Sequence, residues 1–377
     1  MLLTNMIIGV LRESNPETRV SLSDEAVASL VKKGFSVWVE QGAGVLSFCS
    51  DAAYQAAGAT VSDRASVLSN ATVVLSMHPI PTEQLASMNG KLLLGAYQPL
   101  YKKEWVQAVA QAGITCFSLD MLPRTTRAQS MDILSSQANI AGYKAVLLAA
   151  TTYGRYFPMF MTAAGSITPA KVLILGAGVA GLQAIATAKR LGAVVEVFDT
   201  RPAVKEEVMS LGAKFIEVEG AADASKAGGY AVEQSEDYQR RQRERIAQSA
   251  AKADIIITTA QIPGKKAPIL ITAEMIASMR NGSVIIDLAA ATGGNTPYTK
   301  DSETVDQNGV RIVGASSLPA TLPADASKLY GKNILNFFQL LVDKAGALQL
   351  NWDDDLVKGA CITDQGKIVN EKIASSI

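Results

Sequence analysis

Near the middle of the chain an apolar run at 172–175 leads straight into Gly176-x-Gly178-x-x-Gly181. A helical pattern follows at 182–190, then a second apolar run at 194–198 that ends in Asp199. Strand, glycine turn, helix, strand and acid in that order make a βαβ unit suited to a dinucleotide. Gly176 permits the tight turn, Gly178 lets backbone approach a pyrophosphate, and Gly181 lets the helix pack close to the strand. The free N–H groups at the start of that helix then face the phosphates. Asp199 can accept hydrogen bonds from an adenosine ribose and would repel a 2′-phosphate, which favours NAD over NADP. Arg201 can accommodate that phosphate and pulls the other way. GxGxxG alone marks many ordinary loops; the two strands, the helix and the acid around it make it specific here.

With 377 residues there is room for two domains, and with 48% hydrophobic and 19% charged residues both can bury a core. Lys plus Arg and Asp plus Glu both number 35, a balance that points to no nucleic acid and no anionic membrane surface. Cys49, Cys116 and Cys361 are scattered without a CxxC, and His78 is the only histidine, so no metal site is expected. The N-terminus has no signal-peptide pattern, and the most apolar region, 141–161, carries Lys144 and Arg155, so no membrane span is expected.

Strand-like runs at 6–10, 36–40, 72–77, 91–96 and 114–118 alternate with helical runs at 24–33, 51–57, from 82, and 103–112. Ser23 caps the first helix and Gly34 stops it. The alternation means a parallel sheet covered on both faces, here without a GxGxxG of its own. A polar loop at 123–132 precedes a long helix at 133–153 that carries the chain into a second domain. Its Arg124, Gln129 and Asp132 either line a cofactor cleft or merely cap that helix and pair with one another; the residues alone leave both open.

The second domain continues with a helix at 203–211, a strand at 214–218, a loose segment at 219–229 and a charged helix at 236–252. Gly228-Gly229-Tyr230 has the composition of a flap over a site, or of a simple surface excursion. Strand 254–258 ends in Thr259-Ala260-Gln261, plausible cofactor contacts because parallel strand ends face the ligand crevice. A helix at 273–279, strands at 283–287 and 311–314 and a long helix at 325–342 follow, and the tail carries strand-like runs at 356–362 and 367–369. The expected fold is α/β: two Rossmann-like doubly wound parallel-sheet domains linked by long helices, with a cleft between them. One comprises 1–135 plus 326–377 and the other, the dinucleotide-binding domain, 136–325.

A self-contained dehydrogenase needs a general acid or base beside its substrate carbonyl. His78, before Pro79, is the lone candidate, and a lone His is more often structural. No GxSxG elbow is present. A cofactor site without a convincing proton donor suits hydride transfer between two cofactors, which protonates no substrate oxygen.

The chain resembles the NAD(H)-binding alpha subunit of proton-translocating NAD(P) transhydrogenase over essentially its whole length. The motifs are Pro123-Arg-x-x-Arg-Ala-Gln-Ser-Met-Asp-x-Leu-Ser135, Ile140-Ala-Gly-Tyr143, the glycine turn through Ile185, Gly228-Gly-Tyr230, Thr258-Thr-Ala-x-Ile-Pro-Gly264, Gly293-Gly-Asn295 and Leu329-Tyr-Gly-x-Asn333. The resemblance implies that Arg124, Gln129, Asp132 and Ser135 hold the nicotinamide end of NAD, with Thr125, Thr126, Ser130 and Met131 beside them. It places Gly176, Ala177, Gly178, Val179 and Gly181 at the phosphates, and Asp199, Thr200 and Arg201 at the ribose. Gly229 and Tyr230 belong to the family's closing loop, and Gln242, Ala260 and Gln261 fall at further nucleotide contacts. Implied with these are hydride transfer from NADH to NADP(H) held by a partner beta subunit, coupling to proton translocation through a membrane-spanning alpha-2 subunit, and a homodimer. The location implied is cytoplasmic, peripheral on the inner membrane through those partners. Alanine dehydrogenase, the rival, shares the pattern but has a Lys before the Pro where Met77 and His78 stand, and a later His where Ala96-Tyr97-Gln98 stand. A non-catalytic NAD-binding module is the third reading. Departures from the transhydrogenase pattern fall at Ser23-Asp24, Gln261 and Ala291-Thr292.

Overall fold

The structure, a computed structural model, describes residues 6–220 and 235–377. It divides into two compact units, Met1–Gln137 with Ala320–Ile377, and Ala138–Pro319. Helix Ile133–Thr152 runs from the first into the second.

The sheet of the first unit reads, edge to edge, Lys367–Ile368, Cys361–Asp364, Thr115–Ser118, Leu92–Gly95, Val73–Leu75, Ile7–Val10, Ser36–Glu40 and Thr60–Ser62. Its six inner strands are parallel, in the 3-2-1-4-5-6 order of a doubly wound fold. Val73, Val74, Leu92, Leu93 and Leu94 are buried on both faces, so helices must cover both. Side-chain caps start several of them: Ser23 accepts from the Ala26 N–H, Ser50 from Ala53 and Asp63 from Ser66. Gly34, at φ +92°, ends the first helix as expected.

The tail corrects the expected strand at 356–362. Asp354 accepts from the N–H groups of Leu356 and Val357, so Asp355–Ala360 is helical and only Cys361–Asp364 is strand. That strand and Lys367–Ile368 join antiparallel, so the sheet is mixed rather than wholly parallel. Strand Thr60–Ser62 and helix Arg64–Asn70 have too little apolar content to stand out in the sequence.

The second sheet reads Lys214–Phe215, Val194–Phe198, Lys171–Leu175, Ile255–Thr258, Val284–Asp287, Val310–Gly314 and Thr304–Gln307. The last strand is antiparallel, a second correction, and six parallel strands repeat the 3-2-1-4-5-6 order. The order reverses between Lys171–Leu175 and Ile255–Thr258, so the ligand crevice lies off Leu175 and Thr258. Helix Val179–Arg190 starts earlier than expected, because the Leu182 N–H already bonds to the Gly178 carbonyl at 2.8 Å. The expected helix at 203–211 divides into a 3₁₀ turn, Pro202–Val204, and Lys205–Ser210, since Pro202 starts a new turn. The hairpin Phe160–Thr162 with Gly165–Ile167 is not legible as strands in the sequence.

Candidate functional site

In the second unit the three motif glycines have separate reasons. Gly176 sits at φ +105°, and a Cβ there would lie 2.2 Å from Thr259 Oγ1. A Cβ on Gly181 would lie 1.9 Å from the Gly176 carbonyl oxygen, so the helix packs against the turn's own backbone. A Cβ on Gly178 would meet nothing within 4 Å. Two glycines are therefore demanded by packing, and the third opens onto free space at the N-terminus of a 12-residue helix. The first N–H groups of a helix lack intrahelical acceptors, so that space has the donors and dipole of an anion site. Ala177 is buried and Val179 exposed.

Asp199 lies beside this turn and is already engaged. Its Oδ2 accepts from the Ala177 N–H at 2.7 Å and from Arg201 Nη2 at 2.7 Å. Its Oδ1 accepts from the Arg201 N–H at 2.8 Å and Nε at 2.9 Å. Thr200 between them is half-buried. Tyr238, buried on helix Glu236–Ala250, has its hydroxyl pushed to higher pKa by burial and by the Asp199 charge. Gln242, one turn on, shares that helix face and is half-buried. Gly229 and Tyr230 lie outside the described residues.

The segment after strand Ile255–Thr258 is held from behind by residues that sequence reasoning leaves without a role. Thr259 Oγ1 bonds to the carbonyls of Leu175 and Gly176, at 3.2 and 3.3 Å, bracing the glycine turn. Asn295 Oδ1 accepts from the Ala260 N–H at 3.2 Å, and its Nδ2 donates to the carbonyls of Ala260 and Pro268. The fully buried Asp287 holds Asn295 in turn, accepting from its N–H and from Thr299 Oγ1, both at 2.6 Å. The Ala260 backbone is thus spent on Asn295, and the Gln261 amide on the Leu288 carbonyl at 3.0 Å. The one sequence signal for this arrangement is the Gly-Gly-Asn motif.

In the first unit, 123–132 is not an open loop: Thr126–Met131 form a 3₁₀ helix. Ala128 and Met131, three apart, point into the core, so the Met131 side chain faces away from solvent. Arg127 grips Asp354 at 2.6 and 2.7 Å and also pairs with Asp355. The Ser130 carbonyl accepts from Asn333 and Asn336, at 2.8 and 2.9 Å. Asp132 caps the following helix, accepting from the Ser135 N–H at 2.9 Å and its hydroxyl at 2.6 Å. With these anchors set, Arg124, Thr125, Thr126 and Gln129 are exposed.

The switch point of this first sheet is blocked. Glu13 Oε1 and Oε2 accept from the N–H groups of Met77 and His78, at 2.6 and 3.3 Å. A carboxylate thus fills the place corresponding to the glycine turn of the second unit, and burial raises its pKa. His78 Nε2 lies 2.7 Å from Glu17 Oε2, and Glu17 is also paired with Arg19 at 2.7 Å. Burial raises the Glu17 pKa, but the hydrogen bonds from Arg19 and His78 outweigh it and hold the group well below the usual carboxylate range.

Residues 9–141 match the family described as alanine dehydrogenase/PNT, N-terminal domain, and 145–371 its C-terminal domain. The chain belongs to the alanine dehydrogenase/PNT family. It is 48% identical to the first of the two chains that make up the NAD(P) transhydrogenase alpha subunit of Rhodospirillum rubrum, over 97% of this chain and 98% of that one. It superposes on the crystal structure of transhydrogenase from Sinorhizobium meliloti with a TM-score of 0.88 and 45% identity, covering 96% of this chain and 100% of that one. Alanine dehydrogenase of Bacillus subtilis is more distant, at 26% identity over 99% of this chain and 95% of that one. No helix among the described residues is long and apolar enough to cross a membrane.

Proposed function

We propose that this chain is the NAD(H)-binding subunit of a proton-translocating NAD(P) transhydrogenase, passing hydride between NADH and NADP⁺ held by a partner beta subunit. The observation that carries the reading is the open face of Gly178 at a helix N-terminus, with Asp199 beside it, in a chain matched end to end by transhydrogenase alpha subunits. That cradle suits the dinucleotide: Gly176, Ala177, Gly178, Val179 and Gly181 would hold its phosphates. Asp199, Thr200 and Arg201 would take the ribose, and Gln242, Ala260 and Gln261, with Gly229 and Tyr230, would take flanking contacts. Arg124, Thr125, Thr126, Gln129, Ser130, Met131, Asp132 and Ser135 would take the nicotinamide end. Bound NADH supplies the hydride. The protein's part is orientation and exclusion of water, since two correctly held reactants need no further acid or base.

Against alanine turnover stand Met77, buried and unable to titrate, and His78, tied to Glu17. Coupling to proton translocation would run through a membrane-spanning alpha-2 partner, which would hold this chain peripherally at the cytoplasmic face. A homodimer is supported by the hairpin Phe160–Thr162/Gly165–Ile167, where Tyr156, Met159, Phe160 and Met161 are 46–74% exposed. The test is NADH oxidation by the purified chain supplied with pyruvate and ammonium, after binding has been established. Binding without turnover, and transhydrogenation once the partner subunits are added, is expected; turnover by the chain alone refutes the reading.

A further inference from the structure

An ionised carboxylate offers about four lone-pair positions to donors. In Asp199 all four are filled: two by the N–H groups of Ala177 and Arg201, two by Arg201 Nε and Nη2, all between 2.7 and 2.9 Å. The pair is shielded, with the Asp199 side chain 6% and the Arg201 side chain 18% exposed. The two backbone donors belong to the glycine turn and to the strand exit, and neither can leave without undoing them. The guanidinium, on a flexible stem, is the only displaceable occupant.

We infer that Arg201 is an internal competitor for the ribose-binding carboxylate and sets the nucleotide preference of the site. The inference rests on the reading of Asp199 as ribose acceptor. A ribose diol gains its hydrogen bonds to Asp199 only by displacing the guanidinium, so Arg201 weakens NADH binding. Once displaced it remains tethered two residues from Asp199, a cation that offsets the repulsion between that carboxylate and a 2′-phosphate. Arg201 therefore costs the site both affinity for NADH and discrimination against NADPH. An arginine serving only to brace the turn would behave differently, because its loss would weaken both nucleotides together.

The experiment measures NADH and NADPH dissociation constants of the full chain by fluorescence titration and calorimetry, for the parent, Arg201→Met and Asp199→Asn. Methionine keeps most of the apolar stem while removing charge and donors, and a thermal melt of each variant verifies folding. The expected result for Arg201→Met is NADH bound three- to tenfold tighter and NADPH at least tenfold weaker. Unchanged or weaker NADH binding by folded Arg201→Met overturns the proposal. If Arg201→Met unfolds, Arg201→Gln and Arg201→Lys carry the same measurement, with the same signs expected at smaller size. Unchanged NADH affinity in Asp199→Asn overturns the ribose reading itself; weaker NADH binding there, with no effect at Arg201, overturns only the competition.

Discussion

Gly142→Ala tests the packing that fixes the dinucleotide turn. In the middle of a helix this exchange ordinarily stabilises, by about 1 kcal/mol. Gly142, inside helix Ile133–Thr152, is different because a Cβ there would lie 2.1 Å from the Ala180 carbonyl oxygen and 2.8 Å from its carbonyl carbon. Those are backbone atoms in the first turn of helix Val179–Arg190, so no side chain can swing aside. The two helices must separate by about 1 Å, an overpacking strain of roughly 1–3 kcal/mol or more in a close-packed interior. The clash outweighs the propensity gain, and a net loss of about 1–2 kcal/mol is expected, lowering Tm by roughly 2–8 °C. Ala180 is two residues past Gly178, so the same shift moves the turn's donors away from the phosphates, and NADH binding should fall at least tenfold. Calorimetry and NADH titration read both effects. A Tm equal to or above the parent's, with unchanged NADH affinity, would refute the argument.

Gln129→Ala should slow hydride transfer in the assembled enzyme far more than it weakens NADH binding, since Gln129 is exposed on a turn held by other residues; equal losses would count against its place at the nicotinamide. Asp132→Ala removes a helix cap and should cost about 1 kcal/mol by denaturant titration, whereas Asp132→Asn, which keeps an acceptor, should cost less. The Glu17 carboxyl is depressed in the folded state, so its contribution to stability is present above the ordinary glutamate pKa and is lost as pH falls through the folded value. Stability of the parent should therefore decline below about pH 4, and Glu17→Gln should flatten that decline in pH-dependent melts. Met161→Glu should shift a homodimer toward monomer in analytical ultracentrifugation, and an unchanged sedimentation coefficient would remove the hairpin from the interface.

The glycine turn is legible because each of its components is local: an apolar strand, glycines at fixed offsets, a helix start and an acid at the next strand end all follow from short-range sterics and periodicity. So are most strands and helices of both sheets, where continuous Val, Ile and Leu runs have only one stable burial. The tail at 356–362 reads differently in the sequence and in the fold because an apolar run of that length satisfies strand and helix alike, and the Asp354 cap decides it. The antiparallel edge strands cannot be read from the residues either, since direction depends on which neighbour is free to pair.

Tertiary structure alone assigns the polar residues. Nothing in Arg-Ala-Gln-Ser-Met-Asp says that Arg127 anchors to residues more than 200 positions away while Gln129 is left exposed. Nor does Gly-Gly-Asn say that Asn295 spends its amide holding Ala260 and Pro268. Asp199 is identifiable by its place at a strand end, but only the folded turn reveals that all its acceptor positions are taken. A polar side chain has several partners within reach of its chemistry, and which one it meets is fixed by long-range packing; a run of branched apolar residues has one environment open to it.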